Sequence, residues 1–107
     1  MDNFKIIYSI LKILEKSMDA EEFDKSRLSN ESLKLSEPRW SRIMAMLAAN
    51  EYVTGIEVWH SIDCDYPRVC ITRPEITLKG LEYLSENSLM KKAANIAKGI
   101  KDIPFVP

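Results

Sequence analysis

Two arginines and a tryptophan lie close together in the segment SEPRWSRIMAMLAAN, residues 36–50. Arg39 and Arg42 are three positions apart, a spacing that makes two side chains neighbours on a helix surface. Guanidinium groups placed in this way can contact phosphates or guanine edges in the major groove of DNA. Two arginines on the outside of a helix are also often just a solvated surface, so the sequence leaves both interpretations open.

The segment that contains these arginines predicts one amphipathic helix. Ser36 is a good N-cap because its hydroxyl can accept a hydrogen bond from a first-turn N–H, and Glu37 and Pro38 suit the first turn. An apolar stripe follows at spacings of three and four, formed by Trp40, Ile43, Met44 and Leu47. We expect this stripe to face the core and Asn50 to end the helix in a left-handed conformation.

The chain before this helix is predicted to be helical, with one loop. Residues 3–18 predict a helix with a wide apolar face, and residues 19–24 predict an acidic loop. Residues 25–28 are expected to be extended and residues 29–35 to form a short helix. Two helices separated by a tight polar turn form a helix-turn-helix.

The residues after the central helix change to the two-residue period of a β-hairpin. Residues 51–62 predict a half-buried strand with a bulge at Gly55. Residues 63–67 predict the turn, and the second strand is expected to end at Pro74. The inward positions are predicted to be Ile56, Val58, Ile62, Val69 and Ile71.

The last part of the chain predicts two further helices. Thr77 is expected to cap the first, and Ser88 to begin the second. The inward positions of the first are predicted to be Leu78, Leu81 and Leu84. Gly80 lowers helix propensity by about 1 kcal/mol relative to alanine, so we expect another backbone close to it. Residues 1–103 are predicted to form one domain and residues 104–107 a loose tail.

The final predicted helix has an apolar stripe and a basic solvent side. The stripe consists of Leu89, Ala93, Ile96 and Ile100, and the basic side of Lys91, Lys92, Lys98 and Lys101. The stripe either covers the core of its own chain or pairs with a second copy through the first helix. A homodimer of that kind would place two reading helices at matched half-sites.

Composition indicates a single small soluble domain. The chain has 107 residues, of which 46% are hydrophobic and 29% charged, and it has no apolar run long enough to cross a bilayer. We see no secretion signal, and two cysteines without a disulfide framework lead us to expect the cytoplasm. The formal net charge is −1, whereas proteins that bind phosphates are usually basic on at least one face.

The predicted order of helix, short helix, helix, hairpin and helix is that of a winged helix-turn-helix domain. This is an α+β fold, here mainly helical, with a two-stranded wing and an added C-terminal helix. The segments NEYVTGI (residues 50–56) and PEITLKGLEYL (residues 74–84) resemble the YjcQ-like family of short proteins from Gram-positive bacteria and their prophages. The resemblance covers nearly the whole chain. It implies a winged-helix fold and supplies no catalytic residue.

The candidates for metal binding or catalysis lie in and near the hairpin. They are His60, Asp63, Cys64, Asp65 and Cys70. Zinc sites typically pair ligands as Cys-x-x-Cys or His-x-x-x-His, and neither spacing occurs here. His60 is expected on the inward face of its strand and Cys70 on the outward face. Because no motif places a nucleophile beside a base and no glycine-rich phosphate loop is present, we expect no metal, no cofactor and no enzymatic activity.

Two functions from different classes therefore remain. In the first, the helix of residues 36–50 lies in the major groove of double-stranded DNA. The predicted nucleic-acid-binding residues are Ser36, Arg39, Arg42, Arg68, Lys25 and Arg27, with Lys34 beside them. In the second, the same scaffold binds a phage or host protein, because Asp63 and Asp65 in the wing would repel phosphates. The small and apolar outer positions Ala45, Met46 and Ala49 also suit a protein partner.

Overall fold

The computed structural model of the protein describes residues 2–97, with side chains described as far as residue 87. Three helices are present in this part of the chain, α1 (Asn3–Lys16), α2 (Glu37–Ala49) and α3 (Leu78–Ala97). An antiparallel hairpin of strands β1 (Val53–Trp59) and β2 (Arg68–Ile76) lies between the last two. The arrangement is a mainly helical α+β winged helix, as the sequence predicts. The predicted tail, 104–107, lies outside the described residues.

One hydrophobic core joins the helices to the hairpin. Its fully buried members are Ile6, Ile10, Leu11, Leu14, Leu28, Ile43, Met44, Leu47, Val53 and Leu84. Each such side chain contributes about 1.5–3 kcal/mol through the apolar surface that it removes from water. Four of these residues belong to α1. The wide apolar face of α1 is therefore largely buried within its own chain.

The segment between α1 and α2 is less regular than predicted. Lys25–Leu28, expected to be extended, is a 3₁₀ helix whose cap, Asp24, accepts a hydrogen bond from the Ser26 N–H at 3.0 Å. Residues 29–35, expected to be a short helix, form turns that end with Lys34 at a φ of 59°. The first, short helix of the predicted helix-turn-helix is thus reduced to these turns.

Helix α2 ends at Ala49, and the left-handed residue that follows it comes one position later than predicted. Asn50 has a φ of −92°, and Glu51 instead takes the left-handed conformation with a φ of 63°. The N–H of Glu51 donates to the Ala48 carbonyl at 3.1 Å, and the N–H of Tyr52 donates to the Leu47 carbonyl at 3.0 Å. This pair of bonds is a Schellman motif, which turns the chain directly into β1.

The hairpin contains a large bulge opposite Gly55, the position at which the sequence predicts one. Thr54 pairs with Glu75 and Ile56 with Ile71, so Gly55 alone faces three residues of β2. Gly55 has a φ of 76°, and a Cβ there would lie 1.8 Å from the carbonyl oxygen of Arg73. Because the bulge interrupts the ladder, a residue without an N–H is tolerated within β2.

Both predicted strand ends need correction. Strand β2 continues through Pro74 to Ile76, because the bulge restores pairing beyond it. Strand β1 stops at Trp59, where its pairing with Arg68 is the last before the connecting loop. His60 and Ile62 therefore lie in that loop and are exposed, although they were expected to face inward.

Helix α3 is one continuous helix where two were expected. The backbone stays helical through Asn87, whose side-chain amide donates to the Tyr83 carbonyl at 2.9 Å. Leu78, predicted to face inward, is 74% exposed in the first turn. The expectation for Gly80 is confirmed, because a Cβ there would lie 2.5 Å from the Tyr52 carbonyl oxygen. The stripe predicted for the end of this helix lies beyond the described side chains.

Candidate nucleic-acid interface

Helix α2 has the capped start and the orientation that its sequence predicts. The hydroxyl of Ser36 accepts from the Arg39 N–H at 3.4 Å. Trp40 is half-buried, and its indole N–H donates to the Leu28 carbonyl at 2.7 Å. This bond fixes α2 against the preceding 3₁₀ helix. Because the tryptophan side faces the core, Arg39 and Arg42 are exposed on the other side.

The loop between the strands, residues 60–67, lies against the first half of α2. The Arg42 guanidinium donates to the Asp65 carbonyl at 3.5 Å, the outer limit of a hydrogen bond. The charge of Glu37 raises the pKa of Tyr66, which places this phenol near the first turn of α2. Helix α2 and the wing therefore form one surface.

Asp63, one of the acidic side chains of the wing loop, is hydrogen-bonded within that loop. The Ser61 hydroxyl donates to the Asp63 carboxylate, and this bond is the main cause that lowers the pKa of Asp63. The charge of Arg68 lowers the same pKa further. Asp63 is therefore ionised at neutral pH, and among the described side chains no ion pair joins it to Arg68. The predicted conflict between the acidic wing and phosphate therefore remains at both Asp63 and Asp65.

The predicted basic residues do not all meet on this surface. Arg42 reaches the wing loop directly, and Arg68 begins the strand that leaves it. Arg27 is exposed on the 3₁₀ helix before α2, and Lys34 on the turns that follow it. Lys25 instead lines a separate groove against β2. The described contacts thus join α2 to the wing and place Lys25 elsewhere.

Three apolar side chains are exposed on α2 and the wing, and the DNA-binding hypothesis gives them no role. Met46 is 48% exposed, Trp59 is 49% exposed, and Ile62 is fully exposed. Strand alternation predicted an inward Ile62, but alternation holds only while a strand is paired. The only sequence signal for its exposure was its position beside the turn-forming residues 63–67.

The other candidate chemistry finds no geometric support in the described part of the chain. Within residues 2–97, no group of three or more His, Cys, Asp or Glu side chains is placed to hold a metal ion. His60 and Cys70 are exposed, and Cys64 is a half-buried thiol. No helix among these residues is both long enough and apolar enough to pass through a membrane.

Comparison with known proteins identifies the family. The sequence model described as YjcQ protein matches residues 8–103. The chain belongs to the YjcQ family. The match extends from within α1 to beyond the last described residue of α3, so it includes α2 and the whole wing. No curated protein and no solved structure matches the chain.

Proposed function

We propose that this YjcQ-family protein binds double-stranded DNA through α2 and the wing, as a small regulatory or prophage winged-helix protein. The observation that supports this most is the exposed pair Arg39 and Arg42 beside the wing loop. In winged helices of this order, the helix before the hairpin enters the major groove. The arginines contact phosphates or guanine edges there.

The contact that Arg42 makes within the protein is compatible with this role. Its hydrogen bond to the Asp65 carbonyl is long at 3.5 Å and exposed to solvent. Such a bond contributes little, so a phosphate oxygen can replace the carbonyl at small cost. A guanidinium–phosphate bond is charge-assisted and roughly twice as strong as a neutral one. The wing loop then holds the arginine close to its DNA-bound position.

The charge of the surface predicts modest affinity. Glu37 and Asp65 lie beside the two arginines, and the formal net charge of the whole chain is −1. Carboxylates near phosphates oppose association, and a protein without net positive charge gains little long-range attraction to DNA. We therefore expect dissociation constants near 10⁻⁴–10⁻⁶ M for random duplex, the usual range of non-specific binding.

Fluorescence anisotropy with a labelled random duplex tests this proposal. The double variant Arg39→Ala with Arg42→Ala removes two contacts of about 1 kcal/mol each, so we expect a roughly thirtyfold weaker affinity. The matched control is Lys5→Ala with Lys16→Ala, which removes two exposed charges from α1. Wild-type protein that does not bind, or equal losses in both double variants, would contradict DNA binding through α2.

A second function is favoured by the exposed apolar residues. Met46, Trp59 and Ile62 are more apolar than a surface used only for phosphates requires. In this alternative, the α2 and wing surface binds a phage or host protein and has no catalytic activity.

Affinity capture from host lysate distinguishes this alternative from DNA binding. The baits are the wild-type protein, Met46→Glu and Ile62→Glu, and the control bait is Leu78→Glu at another exposed apolar position. A protein partner of this surface is recovered by the wild type and the control and lost from the other two. Equal recovery of every captured protein by all four baits argues against it.

A further inference from the structure

An open groove lies between the end of α1 and the bulged part of β2. Its volume is about 820 Å³, and its walls are residues 17–25 and 72–76. The apolar side chains among them include Met18, Phe23 and Ile76. Met18 is 61% exposed. The groove therefore has apolar surface that a docked segment would remove from water.

The rim of this groove is acidic on balance. Glu21, Glu22 and Glu75 line it together with Lys25 and Arg73. Among the described side chains, none of the three glutamates makes an ion pair. Two of them are adjacent in the short acidic segment that follows α1, where the sequence is DAEEFD. An occupant with several positive charges beside apolar residues would complement both the acidic and the apolar side chains that line the groove.

The chain itself contains a segment of that chemistry. Residues 88–101 include the lysines Lys91, Lys92, Lys98 and Lys101 and no carboxylate. The apolar residues Leu89, Ala93, Ile96 and Ile100 recur at spacings of three and four. The backbone is helical as far as Ala97. An amphipathic helix that lays its apolar face into an apolar groove is a common mode of recognition.

The described part of this segment, as far as Ala97, cannot reach the groove of its own chain while α3 stays continuous. Ile76 lines the groove, and α3 begins two residues later at Leu78. From there the helix runs for 20 residues, about 30 Å at 1.5 Å per residue. A continuous helix cannot bring its second half back to its own start. A second copy of the chain can supply the segment.

We propose that the protein forms a homodimer in which residues 88–101 of each protomer dock into the groove of its partner. The exchange is reciprocal, so one twofold axis relates two identical contacts. In this dimer α1 does not supply the partner surface for the last helix, because the apolar face of α1 is largely buried in its own core. The dimer does not depend on DNA binding.

Light scattering on the full-length chain, with charge reversals on each side of the contact, tests the dimer. Glu21→Lys with Glu22→Lys makes the rim basic, and Lys91→Glu with Lys92→Glu makes the docking segment acidic. Each double variant alone brings like charges together, so we expect a dissociation constant at least about tenfold higher than that of the wild type. An equimolar mixture of the two variants is expected to recover wild-type dimerisation, because both contacts in the heterodimer again join opposite charges.

The control variant is Glu31→Lys with Lys5→Glu, which reverses two exposed charges outside the groove. It should dimerise like the wild type, and circular dichroism should show equal helix content in every variant. Three results would overturn the proposal: a wild-type monomer up to millimolar concentration, a dimer that the charge reversals do not weaken, or a mixture that stays monomeric. Because the measurement contains no DNA, none of them bears on the DNA-binding proposal.

Discussion

At the scale of single residues, Gly55 occupies a backbone position in which a larger side chain does not fit. Its φ is 76°, and an added Cβ would lie 1.8 Å from the Arg73 carbonyl oxygen. Gly55→Ala must therefore shift the β2 bulge or strain the backbone, and we expect a loss of about 2–4 kcal/mol in the free energy of unfolding. Urea denaturation measures this. Thr54→Ala, at the neighbouring exposed position, should lose less than about 1 kcal/mol.

The two tryptophans offer a matched pair of substitutions. Trp40 donates to the Leu28 carbonyl at 2.7 Å, whereas Trp59 is 49% exposed. Trp40→Phe leaves that carbonyl without its donor, which costs about 1–3 kcal/mol, and loosens the attachment of α2 to the 3₁₀ helix. We expect Trp59→Phe to change stability by less than about 0.5 kcal/mol. Equal urea midpoints for the two variants would contradict the role assigned to the indole bond.

The Ser61–Asp63 bond predicts a pH effect in the wing. The Ser61 hydroxyl is the main cause that lowers the pKa of Asp63 in the folded protein. When folding lowers the pKa of a carboxyl group, the ionised group stabilises the fold at pH values above its pKa in the unfolded chain. This contribution is lost as the pH falls through the pKa of the folded protein. In a carbon-detected NMR titration, Ser61→Ala should raise the pKa of Asp63 towards its ordinary value. Ser9→Ala, an exposed serine of α1, should leave it unchanged.

At the scale of secondary-structure elements, Thr77 connects α3 to the turn that follows α2. Its hydroxyl donates to the Glu51 carbonyl at 2.6 Å and accepts from the Gly80 N–H at 3.1 Å. Thr77→Val keeps the shape and removes both bonds, so we expect a loss of about 1–2 kcal/mol in the free energy of unfolding. Thr77→Ser keeps the hydroxyl and should retain most of that stability. Equal melting temperatures for Thr77→Val and Thr77→Ser would show that the two hydrogen bonds contribute nothing to stability.

Elements whose form depends on one or two residues were predictable from the sequence. Ser36 and Thr77 cap their helices as expected, and Gly55 marks the bulge. In each case the chemistry is local, because a hydroxyl or a missing side chain acts on the adjacent backbone. The exposure of Arg39 and Arg42 followed from the same kind of signal, since the apolar stripe beside them determines which side of α2 is buried.

Elements whose form depends on distant partners were not predictable in this way. Strand β2 passes through Pro74 because Gly55, on the other strand, makes room for the bulge. Residues 29–35 form turns around the buried Leu28 and do not complete a helix. The contact between Arg42 and the wing loop depends on the direction that the loop takes, whereas residues 63–67 predict only that a turn occurs there. The candidate surface was therefore predicted as separate parts, without their contact.

At the scale of the whole molecule, the charge balance determines how DNA binding should respond to salt. The formal net charge is −1, so long-range attraction to DNA is weak. The affinity for DNA therefore has to come from a few local phosphate contacts. Three contacts, from Arg39, Arg42 and Arg68, correspond to a slope of about −2.7 in log affinity against log salt, or roughly a fortyfold loss between 50 and 200 mM. A strongly basic protein with ten contacts would lose affinity far more steeply.

The slope also identifies the residues that make the contacts. Removing Arg39 and Arg42 should bring it from about −2.7 to about −0.9, because each phosphate contact contributes about 0.9. The Lys5→Ala and Lys16→Ala control should keep the wild-type slope, since those side chains lie on α1. Anisotropy titrations at four salt concentrations measure all three proteins. A wild-type slope near zero, or one that is equal in the arginine variant, would mean that α2 does not contact phosphates and would favour a protein partner for this surface.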